Sequence, residues 1–473
     1  MRDLLTTSRT FTLILAVGLS AMAARNVTDP DLWWHLKTGQ LIAQNHKLFR
    51  SDPFSSTRQG HPWLNHEWLP DLFIFSIYRM SGFAGLIIVF AAVIAAGFMV
   101  LYSRSPGKPY VAGLCTLLGA LTALPSWGAR PQMLAFVLAS ILLWILERSE
   151  TKSSLMGWVV PLIFLWVNLH GSFPVGIVLI ALFLAGESAE AFLCDDWGGR
   201  ARLVRLGAVL GLSILVVPLN PYGFRLFAYP LQTLSSQAMQ EFISEWASPD
   251  FHRLEYTFLL LMLLGLIAGS TLSSARMRLR DSILLIPAML GALISARHIY
   301  FFVLIAVPVL ARAGSALFEY RISTSIQKSR TVLNGMLVAS LFLFALVRIG
   351  SVVRKQNAAE AAHFPARLVQ FLKAHPLPES TLNYYNWGGY MIWKLYPEYR
   401  VFVDGRADLY GDDFLNEYAH AYYLTNTWDA LLDKYRVQAV ILPPDAPLIT
   451  ALKGLRGWKV AYADEQATVI IKQ

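Results

Sequence analysis

Over most of its length the chain alternates long apolar runs with short polar connections, and then it changes character. A helical span needs about 20 apolar residues, somewhat fewer where neighbouring helices or interfacial aromatics take up the ends. After a first run that begins at Phe11, further runs occupy 83–102, 110–127, 131–146, 155–169, 173–193, 206–218, 256–272, 283–295, 299–310 and 332–347. Together they predict about eleven helices crossing a bilayer. The apolar stretch 68–78 is short and reads as an interfacial helix rather than a complete crossing.

The polar connections are of two kinds. Arg104 with Lys108, Arg148 with Lys152, the cluster Arg200, Arg202 and Arg205, the cluster Arg276, Arg278 and Arg280, and Arg321, Lys328 and Arg330 make every second connection basic. Basic loops stay on the cytoplasmic side. The intervening connections, 127–132, 168–173, 219–255 and 296–298, then belong outside with the polar stretch 28–67. That parity requires 68–78 not to cross.

From about Arg354 charges, turns and short strand patterns replace the apolar runs. Residues 360–374 have helical spacing, 401–404 and 437–443 read as buried strands, and 458–464 with 468–472 read as a terminal hairpin. The expected fold is a mostly α polytopic membrane protein with a small C-terminal α/β extracytoplasmic domain. Its parts are a transmembrane domain over 1–352, with an outer loop at 28–80 carrying interfacial helices, and an outer domain over 353–473.

Composition supports this class. At 55% hydrophobic and 15% charged, with a mean hydropathy of +0.46, the chain lacks the polar surface of a soluble globule of its size. Its net charge of +9 lies mostly in the short loop clusters, which set topology, so nucleic acid is not an expected partner. Cys115 and Cys194 are the two cysteines, with no CxxC pair, and no Walker-type phosphate loop occurs. At the amino terminus, Arg2, Arg9 and Ala21-Met22-Ala23 also satisfy a cleavable signal peptide. A retained first helix fits the alternation of the later runs better.

Candidate chemistry concentrates after the first run. Asp29-Pro30-Asp31 places two carboxylates one residue apart, a spacing suited to joint cation binding or to a base with a supporting acid. Either aspartate also suits the cap of a helix starting at about Leu32, with Pro30 beside it. His35 follows a Trp-Trp pair, and His66-Glu67 offers a further ligand or proton carrier, or the wet edge of an aromatic belt. HEWLP lacks the second histidine of HExxH, which removes a zincin protease. Arg130, Arg297 and His298 end apolar runs on the outer side, where an unpaired cation is costly and therefore a functional candidate, most naturally for a phosphate. Asn168, His170 and Glu245 lie in connections assigned to the same side.

This layout resembles the GT-C superfamily of membrane glycosyltransferases, which includes oligosaccharyltransferase catalytic subunits and the polyprenyl-phosphate-sugar mannosyl- and arabinosyltransferases. Asp29-Pro30-Asp31 matches the place of their acidic outer-loop motif, and Ile243-Ser244-Glu245 loosely matches their Ser/Thr-x-x-Glu element. Tyr385-Asn386-Trp387-Gly388-Gly389-Tyr390 is a distant counterpart of the acceptor-binding WWDYG, which is itself absent. A closer likeness is to uncharacterised bacterial membrane proteins of this type. The matching stretches here are DPDLWWHL from Asp29, RPQ from Arg130, NLHGS from Asn168, NPYG from Asn220 and VFVDGR from Val401.

The resemblance implies a multi-pass protein of the cytoplasmic (inner) membrane, with its C-terminal domain outside. The expected activity is an EC 2.4 transfer of a sugar from a polyprenyl-phosphate-linked donor to an extracytoplasmic glycan, lipid or protein acceptor. Asp29 or Asp31 would be the base, and Arg130, Arg297 and His298 would bind the donor phosphate. No cofactor is assigned; a divalent metal, Mg or Mn, would have Asp29, Asp31 and Glu245 as its ligands. The alternative is a transporter or flippase for a lipid-linked saccharide, which would want two related halves and ionisable residues deep in the helices. Neither is evident.

Overall fold

A computed structural model describes residues 7–195, 198–317 and 331–473. Arg2 of the signal-peptide pattern and the basic residues Arg321, Lys328 and Arg330 lie outside these residues. The described chain is mostly helical with one small sheet, and it divides into two compact units. One comprises 7–25, Ile87–Arg225 and Glu245–Arg354; the other comprises Asn26–Leu86, Leu226–Ser244 and Lys355–Gln473. The units therefore do not follow a linear cut near residue 352, because 26–86 and 226–244 pack with the C-terminal segment.

Among the described residues, seven helices are long and apolar enough to cross a membrane: Trp68–Arg104, Pro109–Ser126, Pro131–Arg148, Phe173–Leu193, Leu254–Leu272, Ala296–Leu317 and Val332–His363. The runs starting at Phe11 and Leu155 are also helical but shorter, as Ser8–Ala23 and within Ser153–Leu169. Those at 206–218 and 283–295 fall in helices of 16 residues each, Arg200–Leu215 and Leu279–Ile294. The stretch 68–78 joins the apolar helix behind it, but the joint is broken at Gly82, whose φ of 58° and ψ of −152° are not helical. A residue with a side chain is strained there, so glycine makes two helices out of one apolar stretch.

Inside the first unit the basic connections gather. Arg104 pairs with Glu147 at 2.8 Å, and Arg202 pairs with Glu187 at 2.8 Å and reaches Ser149 at 2.9 Å. Arg280 pairs with Glu150, which also meets Arg278 at 3.6 Å. Four of the five connections assigned to one side thus converge at one end of this unit. Arg130 stands at the start of Pro131–Arg148, and Glu147 and Arg148 close its other end.

The second unit holds the sheet, with strands β1 Thr381–Asn383, β2 Ala439–Leu442, β3 Trp458–Ala463 and β4 Thr468–Lys472 in the order β1-β2-β4-β3. β1 and β2 are parallel, and the other pairs are antiparallel. The terminal hairpin and the strand near 437–443 agree with the sequence. Segment 401–404 does not: it is extended and buried but outside the sheet. Its backbone is satisfied by 54–56 and by Asn383, whose Oδ1 accepts from Phe402 N at 2.7 Å. The helix expected over 360–374 is interrupted by Pro365, so that Val332–His363 ends before a separate helix Ala366–Ala374 begins. The core of this unit centres on Trp33, fully buried among Phe83, Phe364 and Tyr390 at centroid distances of 5.6, 5.2 and 4.8 Å.

Candidate functional site

The acidic turn in the second unit divides its two carboxylates between two tasks. Asp29 Oδ1 accepts from Asp31 N at 2.8 Å, so Asp29 folds the turn around Pro30. Asp31 stands at the cap position of helix Leu32–Asn45, yet its side chain makes no capping hydrogen bond. Instead Asp31 Oδ1 accepts from Trp34 Nε1 at 3.2 Å. The cap explains the position of Asp31 but not the direction of its carboxylate.

Two glycines of the C-terminal segment make room for this turn. A Cβ on Gly405 would collide with Asp31 Oδ1, and one on Gly389 would come within 2.5 Å of Pro30 O. DPD therefore packs against both the Gly-Gly of 385–390 and the DGR turn. Tyr385 closes the arrangement by donating its hydroxyl to Gly405 O at 3.2 Å. Burial, with the charges of Asp31 and Asp404, holds the Tyr385 hydroxyl well above its ordinary value, so it remains a donor.

The DGR turn itself is structural. Arg406 is 2% exposed, and its guanidinium reaches Asp404 at 2.7 and 2.8 Å and Asp52 at 2.7 Å, with Trp63 and Phe54 on its faces. Tyr410 donates to Asp404 Oδ2 at 2.8 Å. A buried charge set this fully paired anchors the backbone that carries Gly405.

Beside the turn, His35 stacks on Trp34 and meets Asp71 Oδ1 through Nδ1 at 2.6 Å, with Glu67 Oε2 3.8 Å from its Nε2. Asn65 donates to the other oxygen of Asp71 at 2.7 Å. Burial alone would lower the His35 imidazole; the Asp71 hydrogen bond and the charges of Asp71, Glu67 and Asp31 outweigh it and hold the group above its ordinary value. His66 lies against Tyr229 at 3.9 Å between ring centroids and 3.8 Å from Glu67. Sequence reasoning missed Asp71 and Asn65. The available signal was an acid in the first turn of an otherwise apolar helix.

In the first unit, Arg130 pairs with Glu245, while Arg297 N donates to Glu245 O at 2.9 Å and the Arg297 guanidinium lies 5.2 Å from the Trp246 ring centre. Arg130, a cation that would be costly if left alone at the end of an apolar run, thus has a carboxylate partner. Burial would raise the Glu245 carboxyl, but Arg130 and Arg297 outweigh it and hold it below the usual carboxylate range. His298 meets Trp246 edge-on at 6.2 Å, and its enclosed Nδ1 has no hydrogen-bond partner among the described residues. His170 Nδ1 accepts from Ser172 N at 3.0 Å, and Asn168 donates to Phe164 O at 3.0 Å, so NLHGS shapes a helix-to-helix turn.

Among the described residues no group of three or more His, Cys, Asp and Glu is arranged to hold a metal ion. Glu245 is engaged by the two arginines instead.

No family model and no curated protein matches the chain. Solved structures do. The archaeal oligosaccharyltransferase AglB from Archaeoglobus fulgidus, in complex with an inhibitory peptide and a dolichol-phosphate, superposes with a TM-score of 0.55 at 11% identity, covering 91% of this chain and 69% of that one. ArnT from Cupriavidus metallidurans, bound to undecaprenyl phosphate, gives 0.53 at 13% identity over 98% and 97%. At these identities the likeness is one of fold, which this chain shares with both over most of its length.

Proposed function

We propose that this protein is an integral membrane glycosyltransferase of inverting type, which moves a sugar from a polyprenyl-phosphate-linked donor to an extracytoplasmic acceptor. The observation that carries the reading is the Asp31 carboxylate: it sits at a helix start without serving as the cap, in a turn braced by Asp29, on a fold shared with proteins solved with dolichol-phosphate and undecaprenyl phosphate. Asp31 takes the proton of the acceptor hydroxyl as its oxygen bonds to the anomeric carbon. The bond from that carbon to the phosphate oxygen breaks, and polyprenyl phosphate leaves with the electron pair. Asp29 is the positioning residue.

Charge develops on the departing phosphate, so preplaced cations are the largest expected source of transition-state stabilisation. Arg130 and Arg297 are the cations assigned to it, with Glu245 orienting Arg130 and His298 as a hydrogen-bond donor to the phosphate. Sugar transfer from undecaprenyl-phosphate-linked hexoses by membranes carrying wild type, Asp29→Asn or Asp31→Asn tests the reading. Loss in Asp31→Asn at unchanged protein level supports it.

A further inference from the structure

Next to the Asp31 turn, within the second unit, the structure has an open cavity of about 140 Å³ lined by Tyr384, Tyr385, Asn386, Tyr418, Tyr422 and Tyr423, with apolar residues between them. Local structure builds it in two pieces. Tyr384, Tyr385 and Asn386 follow directly on β1, whose carboxyl end faces a parallel neighbour, a place where α/β sheets tend to bind ligands. Helix Asp412–Tyr423 brings Tyr418 and Tyr422, four residues apart, onto one face.

The rings form a layered wall. Tyr384 and Tyr422 stack at 5.8 Å, Tyr418 and Tyr422 at 6.4 Å, and Tyr423 stands edge-on to Tyr422 at 4.9 Å. Tyr418 is the fixed member: its hydroxyl donates to Asn383 O at 3.2 Å and accepts from Tyr385 N at 3.0 Å. Asn386 donates to the Tyr384 hydroxyl at 3.4 Å. Burial, with the charges of Tyr384, Tyr423 and Asp445, pushes the Tyr422 hydroxyl up to about 12, so near neutral pH it is uncharged.

Chemistry narrows the occupant. Among the described residues, no Asp, Glu, Lys, Arg or His lines this cavity, so neither a phosphate nor a charged peptide side chain finds a counter-charge. Aromatic faces with hydroxyl and amide groups between them suit a molecule with apolar C–H faces and an equatorial rim of hydroxyls. Tyr385 links the cavity to the turn: it lines the wall and donates to Gly405 O, whose residue lies against Asp31. We propose that this cavity binds a neutral saccharide, and that the ring held there belongs to the acceptor, which makes the acceptor a glycan rather than a bare lipid or a peptide. The inference rests on the glycosyltransferase reading above.

The test uses the full chain in detergent, with maltotriose, mannotriose and tri-N-acetylchitotriose as probes, followed by saturation-transfer NMR and calorimetric titration. At least one trisaccharide binds wild type. Tyr384→Ala and Tyr422→Ala each weaken it about tenfold or more, while Tyr422→Phe, which keeps the ring, weakens it less than about threefold. Thermal unfolding of each variant confirms the fold. The proposal is overturned if none of the three sugars binds, if the alanine variants bind them equally well, or if farnesyl phosphate displaces the bound sugar. Donor consumption without added acceptor is measured on the same proteins: the pocket variants retain it. A wild type that consumes no donor sinks the transferase reading and leaves the binding result to stand or fall by itself.

Discussion

The carboxylate of Asp31 occupies the space into which a side chain on Gly405 would project. A residue at the start of a helix and a glycine of a buried DGR turn thus fit together only because one has no Cβ. Gly405→Ala is expected to push the Asp31 carboxylate aside. A misplacement of this kind costs on the order of 100-fold in turnover. Donor turnover beside thermal unfolding checks this; an alanine variant with wild-type turnover would show that the contact has no bearing on activity.

Arg406 carries the opposite expectation, because it supports the turn and stays away from the chemistry. Replacing it by Met leaves Asp404 and Asp52 buried without their cation. Breaking a buried pair in this way costs about 3–5 kcal/mol. Thermal unfolding in detergent reads the loss directly, and an unchanged transition temperature would contradict the structural role.

Much of this was legible beforehand because two signals are local. Apolar length marks the helices, and the alternation of basic loops matches the convergence of Arg104, Arg202, Arg278 and Arg280 with their carboxylates. DPD stood out by composition alone. What could not be read is tertiary. Asp52 and Arg406 pair across 354 positions, Asp71 looks like an ordinary helix-start acid until His35 is placed on it, and Gly405 is informative only beside Asp31. Segment 401–404 has the composition of a strand, but its backbone partners are the Asn383 side chain and a loop. No periodicity encodes that.

For the phosphate role, Arg130→Gln and Arg297→Gln are each expected to lower turnover by on the order of 100-fold, the usual effect of removing one preorganised charge. Glu245→Gln removes only the partner that orients Arg130, and its effect is expected to be smaller than either. Steady-state kinetics of the three variants on one donor orders them. Equal activity in Arg130→Gln and wild type removes Arg130 from the role.

His35 makes a prediction about pH. Its folded value lies above the ordinary 6.5, so its contribution is fully present below that pH and is lost as pH rises through the folded value. The stability gap between wild type and His35→Gln should therefore be wider at about pH 5.5 than at about pH 8.5. Unfolding midpoints at the two values measure it, and a gap that widens with rising pH contradicts the assignment.

The central claim stands on Asp31. Sugar transfer from undecaprenyl-phosphate-linked hexoses should fall by at least about 100-fold in Asp31→Asn, the usual loss on removing a general base, with protein level and unfolding temperature unchanged. Asp29→Asn should lose less, since a backbone turn survives in part with an amide. Full transfer activity in Asp31→Asn would contradict the account.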